Sequence, residues 1–211
     1  MAALLRDAMK PNLVQTLEGT PALVHGGPFA NIAHGTNSVI ATRLALSLAD
    51  FVVTETGFAS DLGAEKFFDI VVRTGHIPPP DACVLVATLR ALKLHGGVAL
   101  KDVKAENLEA VRKGFVNLEK HMENLALFGI PFVVALNKFP GDTPAETAGF
   151  LELCRRKKVR AALSDVHGQG GRGGVELAEE VLKAIVEDAR NFQFLYPPEI
   201  PLDNDLAQMV L

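Results

Sequence analysis

PFVVALNKFPGDTPAETAGFLELCRRKK, residues 131–158, decides the fold. Its first part, 131–137, is a continuous apolar run with no alternation, the pattern of a strand buried on both faces. Asn137 ends the run, and NKFPGDT reads as a loop. Asp142 and Thr143 then stand before Pro144, a good N-cap pair with proline at the first helical position. Apolar residues at helical spacing follow, and the basic cluster Arg155, Arg156, Lys157, Lys158 and Arg160 closes the segment, where cations favour a helix C-terminus. The unit is therefore strand, loop, helix. The same grammar repeats outward. Strands are expected at ALV (22–24), DFVVTET (50–56), ACVLVAT (82–88) and VRAALSD (159–165), and helices at 37–48, 105–128 and 174–192. Gly129 stands where a helix would take its C′ glycine. Strands alternating with helices imply a doubly wound, mostly parallel α/β sheet.

The chain has 211 residues, enough to bury a substantial core, with 48% hydrophobic and 22% charged residues. A net charge of −4 excludes the electrostatic footprint of a nucleic-acid binder. Cys83 and Cys154 sit among apolar residues in no metal-ligand spacing, and His25, His34, His76 and His121 form no such set either, so reduced structural thiols and no metal site are expected. No apolar run approaches the ~20 residues that span a bilayer. MAALLRDAMKPNLVQT (1–16) lacks a signal-peptide layout and reads as a short helix, which makes a cytoplasmic, non-membrane protein the expectation.

Ligands of open α/β sheets bind beyond the carboxyl ends of the strands. The segments at those places are HGGPFANIAHGTNS, GFASDLGAEK, RALKLHGG, NKFPGDT and DVHGQGGRGG. All five carry glycine with asparagine, aspartate, histidine or a basic residue, which points to an active-site face.

These segments, in this order, closely resemble formate–tetrahydrofolate ligase. The likeness begins at MKPNLVQTLEGTPA (9–22) and runs through HGGPFANIAHGTNSVIAT, TETGFASDLGAEKFFDI, VATLRALKLHGG, VALNKFPGDTPAE and GQGGRGGVELA. It implies a sheet of the P-loop NTPase-like type without the phosphate loop itself, since no G-x-x-x-x-G-K-[ST] occurs in the chain. The chain is then expected to be the central α/β portion of the enzyme over 1–196, with a C-terminal extension or truncated tail over 197–211. The resemblance implies ATP with Mg2+, formate and tetrahydrofolate as substrates, and no tightly bound cofactor. The γ-phosphoryl of ATP would pass to formate, and the folate N10 amine would attack formyl phosphate. It also implies a homo-oligomer or a complementing subunit. A non-catalytic folate-binding or subunit-interaction module is the alternative. No catalytic residue is assigned, because the family's phosphate-loop lysine has no counterpart here.

By the same resemblance, Phe139 and Pro140 form one side of a folate pocket, and Leu163 and His167 follow the fifth strand at the positions of a pocket leucine and a tryptophan. The chain has no tryptophan at all. Phe58 is the third aromatic candidate and reads equally as loop packing. Asp61 and Glu65 read as helix-capping acids or as folate-orienting groups, with Lys66 beside them. Candidates facing nucleotide or phosphate are His34, Asn37, Ser38, Arg90, Asn137, Gly170 and Gly171. Lys93 and His95 accompany Arg90. Arg90 and Lys93 read as cations near a transferring phosphoryl group or as surface or interface residues. Asn137 with Lys138 resembles the base-reading loop of nucleotide-binding proteins, yet also suits a strand end. Thr36 stands where the family usually has cysteine, which excludes a thiol role there.

Overall fold

The computed structural model describes residue 3 and residues 6–24 and 36–197. The chain divides into two compact units, residues 1–79 and 80–211.

In the first unit, β1 (Asn12–Gln15) and β2 (Pro21–Val24) form an antiparallel hairpin, with Leu13 opposite Leu23. The 12–15 segment is thus a strand, where the stretch 1–16 reads as a helix. Its alternation of Asn, Leu, Val and Gln gives no helical face, and the turn at 16–20 returns the chain to pair with it. The strand expected at 22–24 exists, but its partner is β1 and its direction antiparallel. Among the described residues DFVVTET forms no ladder, and its one pairing there is an isolated bridge from Thr36 to Thr56. A strand exists only where a second backbone supplies its hydrogen bonds, and Phe51 and Val53 stand exposed. Helix α1 (Val39–Leu48) starts at Ser38, whose hydroxyl accepts from the Ala41 amide. A second helix, α2, spans 60–75 with wide, π-type turns over much of its length. It buries Phe67, Phe68, Val71 and Val72 on one side.

In the second unit, β3 (Cys83–Ala87), β4 (Phe132–Asn137) and β5 (Ala161–Ser164) form a parallel sheet in the order β3-β4-β5. Thr88 caps α3 (Leu89–His95), Asn107 caps α4 (Leu108–Leu127), and Thr143 caps α5 (Pro144–Arg156) in a full capping box with Glu146. Gly129, at φ 65°, follows α4 as the C′ glycine. The core cluster joins Leu89 and Leu92 of α3, Val111, Phe115, Leu118 and Met122 of α4, and Phe150 and Cys154 of α5 to Val134 and Leu136 of β4. The alternate positions Val133, Ala135 and Ala162 are buried too, and α6 (Val175–Glu187) packs against β4 and β5 there. Helices therefore lie on both faces of a parallel sheet, as the apolar runs predict. Arg160 fixes α6 in place with a two-pronged bond to Asp188 at 2.9 Å and a 2.7 Å bond to Glu187. Val84 and Val86 of β3, on the α6 side, remain exposed.

Among the described residues no helix is long and apolar enough to cross a membrane, and no group of acidic, histidine or cysteine side chains is placed to hold a metal ion.

Candidate functional site

The connection after β4 enters α5 on the core face, whereas the connection after β5 enters α6 on the opposite face. The two loops leave neighbouring strand ends in opposite directions, and the rule for open α/β sheets puts the ligand-binding crevice at such a parting. The walls of this crevice are residues 138–143 and 165–174.

The first wall is a tight turn. The Asp142 amide donates to the Phe139 carbonyl at 3.0 Å, with Pro140 and Gly141 at the corners and Gly141 at φ 98°. Proline followed by a residue of positive φ is the signature of a type II turn. The Asp142 carboxylate accepts from the Phe139 amide at 2.8 Å, closing the turn from the other side. The Asp142–Thr143 pair thus divides its labour, with Thr143 capping the helix and Asp142 tying the turn. This locks Phe139 and Pro140 at the sheet edge. Arg90, from the first turn of α3, lays its guanidinium over the Phe139 ring, 4.4 Å from the centroid, and donates a long 3.4 Å bond to the Pro140 carbonyl.

The second wall is anchored on Asp165. Its carboxylate accepts from Gln169 and from Lys138, each at 2.9 Å, and these bonds hold its carboxyl below the usual aspartate range. The Lys138 amide also donates to the Ser164 carbonyl. Lys138 therefore ties the two walls together through both backbone and side chain. The sequence GQGGRGG folds into a short turn of helix, Val166–Gln169, and a 3-10 turn, Gly170–Gly174. Its glycines have a backbone reason. Gly170 sits at φ 60°, ψ −150°, a conformation essentially reserved for glycine. A Cβ on Gly173 would lie 2.2 Å from the Asp165 carbonyl oxygen. His167 is exposed on this wall, and Leu163 at the end of β5 is half-buried against the core cluster. Asn137, half-buried, ends β4 opposite Ser164.

The crevice thus brings Phe139, Pro140, Arg90, Asn137, Leu163, His167 and Gly170–Gly171 to the ends of β3, β4 and β5. Phe58, Asn37 and Ser38 belong to the other unit. Phe58 is exposed and adopts φ 67°, rare for a bulky side chain. The Asn37 amide donates to the Leu23 carbonyl and its oxygen accepts from the Ser38 amide, so both polar residues build the start of α1. Thr36 is buried and bonds to Thr54 and to the Glu55 carbonyl. Glu65 lies on α2, and burial first, then Asp69 and Asp61, push its carboxyl up. His34 and most of HGGPFANIAHGTNS lie outside the described residues, as do 198–211.

Lys93 is not a phosphate-facing cation. It is fully buried and pairs at 2.9 Å with the equally buried Glu146. Its ammonium also donates to the Ala105 carbonyl, while Glu146 accepts from the Asn107 amide at 2.8 Å. One carboxylate so joins α3, the start of α4 and the cap of α5. Burial works to raise the Glu146 carboxyl, but the Asn107 amide, Lys93 and the Thr143 amide outweigh it and hold it below its ordinary range. A shallow groove of about 230 Å³ beside Gly96, Gly97, Asn107 and Lys113 includes the two glycines that end RALKLHGG but none of the folate or phosphate candidates.

The family model of formate–tetrahydrofolate ligase matches residues 1–211. The chain belongs to this family. The ligase family and its one-carbon, tetrahydrofolate chemistry give the crevice its context, since the match covers both of its walls.

Proposed function

We propose that this chain takes part in the ATP-dependent ligation of formate to tetrahydrofolate, through formyl phosphate, and that it contributes the folate pocket. The observation that carries the reading is the Phe139–Pro140 turn, held rigid at the parting of β4 and β5 within a chain matched end to end by the ligase family. A fixed aromatic at a strand end offers a flat apolar surface to a pterin ring, and Leu163 and His167 supply the facing side. Phe58, in the other unit, is a separate folate-contacting candidate. ATP with Mg2+ is the phosphoryl donor. Arg90, Asn137, Gly170 and Gly171 are its candidate neighbours in the second unit; His34, Asn37 and Ser38, in the first, are further nucleotide or phosphate candidates. A transferring phosphoryl group needs charge stabilisation and exclusion of water from the acyl phosphate. The proposal includes a cytoplasmic location and a homo-oligomer or complementing subunit, for which the exposed Val84 and Val86 beside the sheet edge offer a surface.

One observation favours a second reading, a non-catalytic folate-binding or subunit-interaction module. The Asn37 amide donates to the Leu23 carbonyl and the Ser38 hydroxyl caps α1, so both side chains serve the fold itself. The deciding experiment supplies the chain with ATP, formate and tetrahydrofolate and follows 10-formyltetrahydrofolate. Turnover supports the ligase reading. Folate binding without turnover at high protein concentration selects the module, and absence of both removes the folate pocket.

A further inference from the structure

Arg90 is the unexpected member of the crevice. Its guanidinium sits over the Phe139 ring, with the central carbon 4.4 Å from the centroid. Among the described residues its one polar contact is the 3.4 Å bond to the Pro140 carbonyl, and no carboxylate pairs with it. A surface arginine is ordinarily held by an acid or left in solvent. Here the ring and the turn hold it. We propose that Arg90 positions Phe139 for an electron-rich flat ligand by occupying one face of the ring and leaving the other for stacking; this rests on the folate reading above.

The physical chemistry has two parts. A planar guanidinium stacks on an aromatic face, whereas an ammonium is a compact, strongly hydrated point charge, so lysine is not an equivalent at a stacked site. A cation on one face also draws π density toward itself. The opposite face then becomes a better partner for a ring rich in amino nitrogens, such as a tetrahydropterin. The closed turn fixes the backbone of Phe139 through Asp142, which leaves the side-chain torsion as the freedom that Arg90 restricts. Arg90 acts through Phe139, so its effect on ligand binding exists only while the ring is present.

Calorimetry with tetrahydrofolate under anaerobic conditions tests this on the full chain and its Arg90→Lys, Phe139→Ala and doubly substituted variants. Arg90→Lys should weaken binding by about two- to fivefold, the range of an exposed cation–π contact, with an unchanged thermal midpoint. The double variant should bind no worse than Phe139→Ala alone. In solution spectra the Arg90 side-chain protons should be shifted upfield by the ring and lose that shift in Phe139→Ala. Unchanged affinity in Arg90→Lys, or losses that simply add in the double variant, would overturn the positioning role. A Phe139→Ala chain that binds tetrahydrofolate like the unaltered one overturns the folate reading itself. Retention of the upfield shift in that variant shows that the ring does not hold Arg90.

Discussion

His167 and the Lys93–Glu146 pair show how differently polar residues of one fold can be employed. His167 is exposed on the second wall, where the family resemblance implies a tryptophan. An imidazole offers less apolar area for stacking than an indole, and stacking of a base on an aromatic is worth ~1–3 kcal/mol. His167→Trp should therefore tighten tetrahydrofolate binding, read by calorimetry; equal or weaker binding removes His167 from the pocket. Lys93 and Glu146 are both buried, so each holds the other's charge out of water. Removing one partner of such a pair costs about 3–5 kcal/mol, while replacing both is often close to neutral. Lys93→Met and Glu146→Gln should each lower the urea midpoint strongly. The combined variant should recover much of the loss, because Gln still accepts from the Asn107 amide and no charge is left stranded. Purely additive losses would mean that the pair is not the coupling element between α3, α4 and α5.

At the scale of elements, the GQGGRGG turn carries the sharpest expectation. Gly170 has a backbone that other residues do not adopt, and strain of that kind costs of order 1–3 kcal/mol. Gly170→Ala should lower stability by about that amount and loosen the Asp165–Gln169 contact. A thermal midpoint equal to that of the unaltered chain would mean that the loop rearranges freely. What the sequence makes legible at this scale is what it encodes locally. Thr143, Pro144 and Glu146 write the start of α5 within four positions, and the unbroken run 132–137 declares a strand buried on both faces. Non-local facts are hidden. DFVVTET is as apolar as a strand, but pairing depends on a second backbone far along the chain. The helix over 60–75 is not among the expected helices, yet it has a readable signal beyond the capping acids Asp61 and Glu65: Phe67, Phe68, Val71 and Val72 share one face of it. Lys93 looks like any helical lysine until Glu146 is folded against it. In the crevice, the Phe139–Pro140 wall follows from the loop position, whereas the stacking of Arg90 required the meeting of two separate elements.

For the whole molecule, titration joins these contacts into one stability profile. Glu146, Asp165 and Asp188 all have carboxyls held below their ordinary range, Glu146 against burial by amides and Lys93, Asp165 by Gln169 and Lys138, Asp188 by Arg160. A group depressed in the folded state adds stability that is present above its unfolded value, near 4. That stability is lost as pH falls through the folded value. On the alkaline side, burial pushes the thiols of Cys83 and Cys154 up from 9.0 to about 12. Their contribution has the opposite sign: it is complete below about 9 and disappears as pH climbs toward about 12, because the unfolded chain ionises its thiols first. The urea midpoint should therefore be flat between about pH 6 and 8, the window between these titrations, and fall on both sides. Cys154 packs in the core at the end of α5 with no exposed surface, so Cys154→Ala tests the alkaline limb directly. It should lower the plateau through the lost packing and also make the decline above pH 9 shallower than in the unaltered chain. An alkaline limb as steep in Cys154→Ala as in the unaltered chain would assign that loss to other groups, and a midpoint that stays level from pH 6 down to 3 would show that the paired carboxylates do not carry the acid limb.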